Sequence, residues 1–129
     1  MKVSQICLGA MMFGSASDAK TAGRIVDLAR IHGVNFIVTA DGYSGGISEK
    51  VLGRLLEKDR KNWVVATKIG NRPGLSSFDT HLGKHHMIIG IDESLNRLWT
   101  DWVDILYLHK EDLVTLLAET VATMGDIIA

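Results

Sequence analysis

The sequence predicts an α/β fold in which about four strands alternate with four helices in one parallel sheet. Short apolar runs stand at VSQICLG, VNFIVTA, NWVVATK and WVDILYL, and they lack the polar alternation of strands with one face in water. Apolar residues at i, i+3, i+4, i+7 spacing follow each run, as on the buried face of a helix. Strands joined by helices imply parallel pairing through right-handed crossovers.

Each predicted helix has an apolar face, and the first two also have end signals. Asp18 and Ser48 are predicted to cap the first and second helices at their N-termini, and Gly33 follows the end of the first. A polar loop, residues 70–83, separates the third strand from the third helix. The predicted inner faces are Ala22, Ile25, Val26 and Ala29; Val51, Leu52, Leu55 and Leu56; Ile88, Ile91, Leu95 and Leu98; and Leu113, Leu116, Leu117, Val121 and Met124.

Two architectures contain such a sheet: a doubly wound fold and a (β/α)8 barrel. A dinucleotide-binding doubly wound fold carries G-x-G-x-x-G after its first strand, whereas LGAMMFGSASD has only Gly9 and Gly14. Polar side chains instead collect at strand ends, where barrel enzymes place their chemistry: Tyr43, Lys68 and His109. We therefore predict part of a TIM (β/α)8 barrel, about four βα units.

Composition indicates one domain, residues 1–129, without a nucleic-acid or membrane partner. Fourteen basic and fifteen acidic residues leave no basic stripe, and no apolar run approaches the roughly 18 residues that span a bilayer. The N-terminus lacks a signal-peptide pattern. Cys7 lies in an apolar run and is predicted to be a buried, unreactive thiol. These features predict a cytoplasmic location.

The histidines before the third helix raise the question of a metal. His81 and His85 have i, i+4 spacing, and His86 follows. No acidic or thiol ligand completes the set, so we predict a solvated surface and no metal site.

Tyr43, Lys68 and His109 are residue types that can protonate a carbonyl oxygen. A tyrosine hydroxyl is a weak acid at neutral pH, and a nearby ammonium stabilises the phenolate. Lys68 would activate Tyr43, and His109 would orient the carbonyl or share the proton while a nicotinamide delivers hydride. Each residue also has an ordinary structural role open to it: a turn aromatic, a strand-end lysine or a core histidine.

Six segments together resemble the aldo-keto reductases, NADPH-dependent carbonyl reductases built on a (β/α)8 barrel: ICLGAMMFGS, GVNFIVTADGY, SEKVLGRLLE, VVATKIG, DESLNRLWTDWVDILYLHKED and LAETVATMGDII. The resemblance implies a catalytic tetrad of Asp, Tyr, Lys and His, with the Asp five residues before the Tyr. Tyr43, Lys68 and His109 match three positions, and Val38 stands at the fourth. Asp41 matches the family's own acidic loop residue, so it is not a displaced catalytic group.

The same resemblance implies a cofactor site and a loss of function. Gly9, Ala10 and Met11 match the end of the first strand near the nicotinamide ribose, although Ala10 stands where the family often has Ser or Thr. A barrel takes about 250 residues, and the family's contacts to the NADPH pyrophosphate and 2'-phosphate come mostly from later strands. We therefore expect a truncated member, incomplete at both ends, that binds NADPH weakly and reduces small aldehydes or ketones weakly or not at all.

The alternative is a non-catalytic half-barrel from a truncated gene, associating with itself or a partner. Its open inner face is predicted to include Ile6, Phe36, Val64 and Ile105. Trp99 is a further departure, because the family's RLGTD has glycine there. Glycine suits a left-handed helix C-cap, where a tryptophan would be strained.

Overall fold

The computed structural model describes residues 1–71 and 81–129, and within them four parallel strands form one sheet in the order β1-β2-β3-β4. The strands are β1 Cys7–Gly9, β2 Phe36–Val38, β3 Val64–Ile69 and β4 Ile105–Leu108. The helices are α1 Ala19–Ile31, α2 Ile47–Leu56, α3 Lys84–Leu98 and α4 Leu117–Ile128, with single 3-10 turns at Tyr43–Gly46 and Arg60–Asn62. Each helix follows its strand, which confirms four βα units. Most of the predicted polar loop, 72–80, lies outside the described residues.

The helices pack on one face of the sheet. The main core joins strand residues Ile37 and Val65 to Val26 of α1, Leu52 of α2 and Leu98 of α3. A smaller cluster joins the end of β3 to the later helices, and consists of Ile69, Leu82 and Met87 packed with Leu106, Met124 and Ile127. Burial of these apolar side chains is the main force that holds the sheet and helices together. None of the described helices is long and apolar enough to cross a membrane.

The ends of α1 and α3 form as the sequence predicts. The Thr21 N–H donates to Asp18 Oδ1 at 2.7 Å, so Asp18 caps α1, and Gly33 beyond its end has a φ of +73°. Trp99 at the end of α3 is left-handed, with φ 54° and ψ 42°. Such a conformation costs an L-residue about 1–2 kcal/mol.

The predicted cap of α2 is wrong. The helix begins at Ile47 after Gly46, so Ser48 lies inside the first turn and is fully buried. Its hydroxyl donates to the Ala10 carbonyl at 2.7 Å and lies 2.8 Å from Thr39 Oγ1. Because the one Ser48 proton goes to Ala10, the Thr39 hydroxyl donates to Ser48. A capping residue type is used here to tie the ends of β1 and β2 to α2.

The predicted inner face of α3 is partly wrong. Ile91 and Leu98 are buried as expected, but Ile88 is exposed. Met87 and Ser94 take the inward positions instead. The buried stripe begins one residue earlier than predicted, at Met87 instead of Ile88. It also includes a serine, which apolar periodicity cannot detect.

The predicted inner face of α4 is wrong for most of its length. Four of the five positions are exposed: Leu113, Leu116, Leu117 and Val121. The first two of these precede the helix, and its buried positions are Thr120 and Thr123. Thr120 Oγ1 donates to the Leu82 carbonyl at 3.1 Å, which fixes that face inward. The outer face of α4 therefore carries the exposed apolar side chains of Leu117, Val121 and Ile128.

The prediction of a buried Cys7 thiol is also wrong. Cys7 is exposed because β1 is a short edge strand, and its side chain points away from the helices while Leu8 points towards them. Of the apolar residues predicted on the open face, Ile6 is exposed and Phe36 and Ile105 are partly buried. Val64 is buried, with 8% of its surface accessible, so that part of the prediction is wrong.

Candidate active site

Tyr43, Lys68 and His109 come together at the carboxyl ends of β2, β3 and β4. Lys68 Nζ donates to Tyr43 Oη at 2.6 Å and to the Thr39 carbonyl at 3.1 Å. The Tyr43 and His109 rings meet edge to face, with centroids 5.7 Å apart and planes at 86°. The lysine thus touches the tyrosine directly, and the histidine borders the same hydroxyl-bearing ring.

Backbone bonds hold these positions beyond the formal strand ends. The Asp41 N–H donates to the Lys68 carbonyl at 2.9 Å, and the His109 N–H donates to the Ile69 carbonyl at 2.9 Å. After Tyr43 the chain turns through left-handed residues, with φ of 52° at Ser44 and 88° at Gly46. This turn explains the glycine-rich sequence, since few other residues adopt such angles without strain. It leads the chain directly into α2.

Among the described residues, the hydrogen-bond acceptors of Lys68 are both neutral. Across residues 1–71 and 81–129, no carboxylate oxygen forms a salt bridge with its ammonium. Val38 lies on the same face of the sheet, because it pairs with Ala66, two residues before Lys68. The position at which the family resemblance places an acid is therefore beside Lys68 and carries an isopropyl group.

His109 is a neutral imidazole at neutral pH. Burial, and then the charges of Lys68 and Lys110, hold the pKa of His109 below its usual value. Its Nδ1 is buried and has no hydrogen-bond partner among the described residues. A neutral ring has one N–H to donate and one nitrogen to accept, so His109 can hold a polar group of a small molecule.

Asp41 does not supply the missing carboxylate. Its side chain is almost fully buried, and its Oδ1 has no hydrogen-bond partner among the described residues. Burial and the nearby Glu49 charge raise its pKa to about 6. The acid is thus coupled electrostatically to Glu49 and Arg97, and within residues 1–71 and 81–129 it forms no salt bridge with Lys68.

The three positions predicted to contact a cofactor differ in accessibility. A Cβ built on Gly9 meets nothing within 4 Å, and Met11 is 54% exposed. Ala10 is fully buried, its N–H donates to the Val38 carbonyl at 2.9 Å, and its own carbonyl accepts from Ser48. The space next to Gly9 is therefore open, whereas the Ala10 side chain faces the core.

A buried charged network behind the site was not predicted from the sequence. Glu49 is fully buried, and it accepts from Thr67 Oγ1 at 2.5 Å and from Arg97 Nε at 2.7 Å. Arg97 also donates to Ser94 Oγ at 3.0 Å. One signal existed: Glu49 stands three residues before Leu52, in line with the apolar stripe of α2.

His81, just before α3, and His85 and His86, in its first turn, border a cavity of about 220 Å³ that Asp41 also lines. The His85 and His86 rings lie 5.9 Å apart. No three His, Cys, Asp or Glu side chains of the described ranges converge in a way that could hold a metal ion.

The fold and the site together define a chain built as part of a (β/α)8 barrel with a tyrosine–lysine pair at its strand ends. The model of the Aldo/keto reductase family matches residues 5–129, and the chain belongs to that family. The aldo-keto reductase AKR11C1 from Bacillus halodurans, in its holo form, superposes with a TM-score of 0.88 at 31% identity, covering 98% of this chain and 43% of that one. The prediction of a partial TIM barrel is thereby confirmed.

Curated relatives carry different names. The "Probable voltage-gated potassium channel subunit beta" of Arabidopsis thaliana is 38% identical over 133 residues, which cover 99% of this chain and 40% of that protein. Norsolorinic acid reductase B of Aspergillus parasiticus is 35% identical over 147 residues, covering 100% of this chain and 38% of that protein. The chain spans about two fifths of the length of these relatives.

Proposed function

We propose that Tyr43, Lys68 and His109 form the proton-donating part of a site that reduces aldehydes or ketones to alcohols. The observation that carries this proposal is the 2.6 Å hydrogen bond between Lys68 Nζ and Tyr43 Oη. When Tyr43 gives its proton to the carbonyl oxygen, the Lys68 ammonium stabilises the phenolate that forms. The neutral His109 ring orients the carbonyl through its single N–H.

The cofactor in this proposal is NADPH, which supplies hydride to the carbonyl carbon when bound. The open side of Gly9 and the exposed Met11 would border the nicotinamide end, with Ala10 shaping the strand end through its backbone. We expect weak retention of NADPH by this chain. The proposed unit is a single domain over residues 1–129, cytoplasmic, with no nucleic-acid or membrane partner.

Activity in this proposal is weakened by Val38. A carboxylate beside Lys68 would fix the ammonium in place and in its charged form. Thr39 and Tyr43 orient the amine but add no charge. Proton donation by Tyr43 is therefore expected to be slow rather than abolished.

The test separates cofactor binding from chemistry. NADPH fluorescence titration gives the affinity, and aldehyde-dependent NADPH oxidation is then followed in single turnover at saturating NADPH. Steady-state turnover should be negligible for the chain and for V38D, because weak cofactor binding limits both. In single turnover, V38D should be faster than the native chain. Adding Y43F to V38D should slow it by roughly 100-fold or more, the usual contribution of a general acid.

Equal single-turnover rates for V38D and the V38D/Y43F double variant would exclude Tyr43 as the proton donor. No aldehyde-dependent oxidation by any variant at saturating NADPH would instead favour a second candidate function.

That second candidate is a non-catalytic chain that associates with a second copy of itself or a protein partner. It is favoured by the outward apolar side chains around α4, including Leu113, Leu117 and Ile128, each more than 70% exposed. Contiguous apolar patches larger than a few hundred Å2 usually mark interaction surfaces, and one relative is named as a channel subunit. Light scattering after size exclusion at several concentrations tests it, and a monomer at all concentrations would refute self-association.

A further inference from the structure

We infer that Lys68 has a second reactivity: its amine condenses with an aldehyde to form an imine, without any cofactor. The inference shares the site and the carbonyl class of the proposed function but needs neither NADPH nor hydride transfer. It rests on the acceptors of Lys68, on the identity of residue 38 and on the contact with Tyr43.

The groups that accept hydrogen bonds from the Lys68 amine are uncharged in the part of the chain that the structure describes. Lys68 is partly buried, and its acceptors are the Thr39 carbonyl at 3.1 Å and the Tyr43 hydroxyl at 2.6 Å. Neither is charged, so no carboxylate of the described residues is paired with the nitrogen. Partly buried lysines without an acidic partner are the ones that proteins use for Schiff bases, since only the neutral amine has a lone pair to donate.

Lys84 provides the contrast within the same chain. Its Nζ lies 2.7 Å from Asp126 Oδ2, and both side chains are 58% exposed. Asp126 favours the charged form of Lys84, which is unreactive towards carbonyls. If exposure alone set the rate, Lys84 would react with an aldehyde faster than Lys68. Faster modification of Lys68 would therefore be an effect of the groups around its amine.

Imine formation at Lys68 needs a group that both gives and takes protons, and Tyr43 is in contact with the amine. The Lys68 Nζ lone pair adds to the aldehyde carbon, and the carbonyl oxygen takes the Tyr43 proton. The added nitrogen returns a proton to the Tyr43 phenolate, which leaves a neutral carbinolamine. Its C–O bond then breaks as the nitrogen lone pair forms C=N, and the departing hydroxide leaves as water with the Tyr43 proton. The iminium N–H restores the tyrosine, so the net reaction is amine plus aldehyde to imine plus water.

Residue 38 determines whether a negative charge lies near the amine. Val38 lies on the same sheet face as Lys68, diagonally across the β2–β3 pair, and an aspartate there would bring a carboxylate towards the amine. An opposite charge within about 4–6 Å favours the charged form of a titrating group by roughly tenfold or more. Asparagine has nearly the same shape without the charge, so V38N is the matched control for V38D.

The experiment treats the 129-residue chain with benzaldehyde and sodium cyanoborohydride at pH 7 without NADPH, then maps benzylated lysines by mass spectrometry. Lys68 should be modified at least roughly tenfold faster than Lys84, V38N should retain that rate, and V38D should lower it at least roughly tenfold. Y43F should slow Lys68 and leave Lys84 unchanged. Circular dichroism verifies that each variant is folded.

Equal rates at Lys68 and Lys84, or equal Lys68 rates in V38D and V38N, would overturn the inference. Because no NADPH is present, either result leaves the proposed reductase function to its own test. Conversely, selective benzylation of Lys68 in a chain that never oxidises NADPH would support the imine chemistry alone.

Discussion

Two ion pairs of equal length allow burial to be tested as the source of stability. Arg97 Nε to Glu49 Oε2 and Lys84 Nζ to Asp126 Oδ2 are both 2.7 Å. The first pair is 10% and 0% exposed, and the second is 58% and 58% exposed. E49Q leaves the buried Arg97 without its nearest carboxylate, and breaking such a pair costs about 3–5 kcal/mol. D126N should cost about 1 kcal/mol or less, because water solvates both released groups.

We expect E49Q to lower the free energy of unfolding by about 3 kcal/mol, near the lower limit of the range for a broken buried ion pair. Arg97 keeps Glu93 as a second partner at 3.2 Å, and the new amide oxygen can still accept from Thr67. Urea unfolding followed by tryptophan fluorescence measures it, since Trp63 is buried. An E49Q loss no larger than that of D126N would refute the claim that this network stabilises the fold.

Three further changes test single features of the chain. Burial raises the pKa of Asp41 to about 6 from 3.8, so the folded chain binds a proton more tightly than the unfolded chain. The free energy of unfolding of the wild type should therefore fall as the pH rises between these two values. D41N should lack this fall when the urea midpoints at pH 4 and pH 7 are compared. W99G should be more stable than W99A by about 1 kcal/mol in thermal melts. Both variants lose the indole, but only glycine adopts the left-handed conformation of residue 99 without strain. Equal melting temperatures would contradict this. G53A should lower the free energy of unfolding by about 1–3 kcal/mol, because its Cβ would lie 2.5 Å from the Leu98 carbonyl oxygen. A Cβ at Gly125 would meet nothing within 4 Å, so G125A should be neutral or stabilising in the same urea assay.

The features predicted correctly from the sequence are those set by neighbouring residues. The Asp18 cap depends on one side chain and the backbone three residues later, and Gly33 and Trp99 depend on a local backbone angle. Strand existence is equally local, because an apolar run bounded by glycine or polar residues has few alternatives. The parallel order of the four strands then follows from the lengths of the connecting helices.

The features predicted wrongly depend on what lies opposite each side chain. Ser48 has a capping residue type, but its hydroxyl meets Ala10 and Thr39 across the fold. Thr120 faces inward because a carbonyl of a distant loop accepts its proton. Apolar periodicity ranks helix faces by hydrophobicity, and it fails where a buried polar group has a specific partner.

The alternation of β3 links the buried network to the candidate site. Thr67 points to the helix side, where Glu49 accepts its hydroxyl, and the next residue, Lys68, therefore points to the opposite face beside Tyr43. The register of Lys68 is set by this anchor and by sheet pairing with Tyr107, and no contact with residue 38 is needed. Valine can consequently stand at position 38 without displacing the lysine. The substitution changes the charge beside the amine while the geometry of the amine and the tyrosine is kept, which is the condition under which the chemistry of Lys68 can change without loss of the fold.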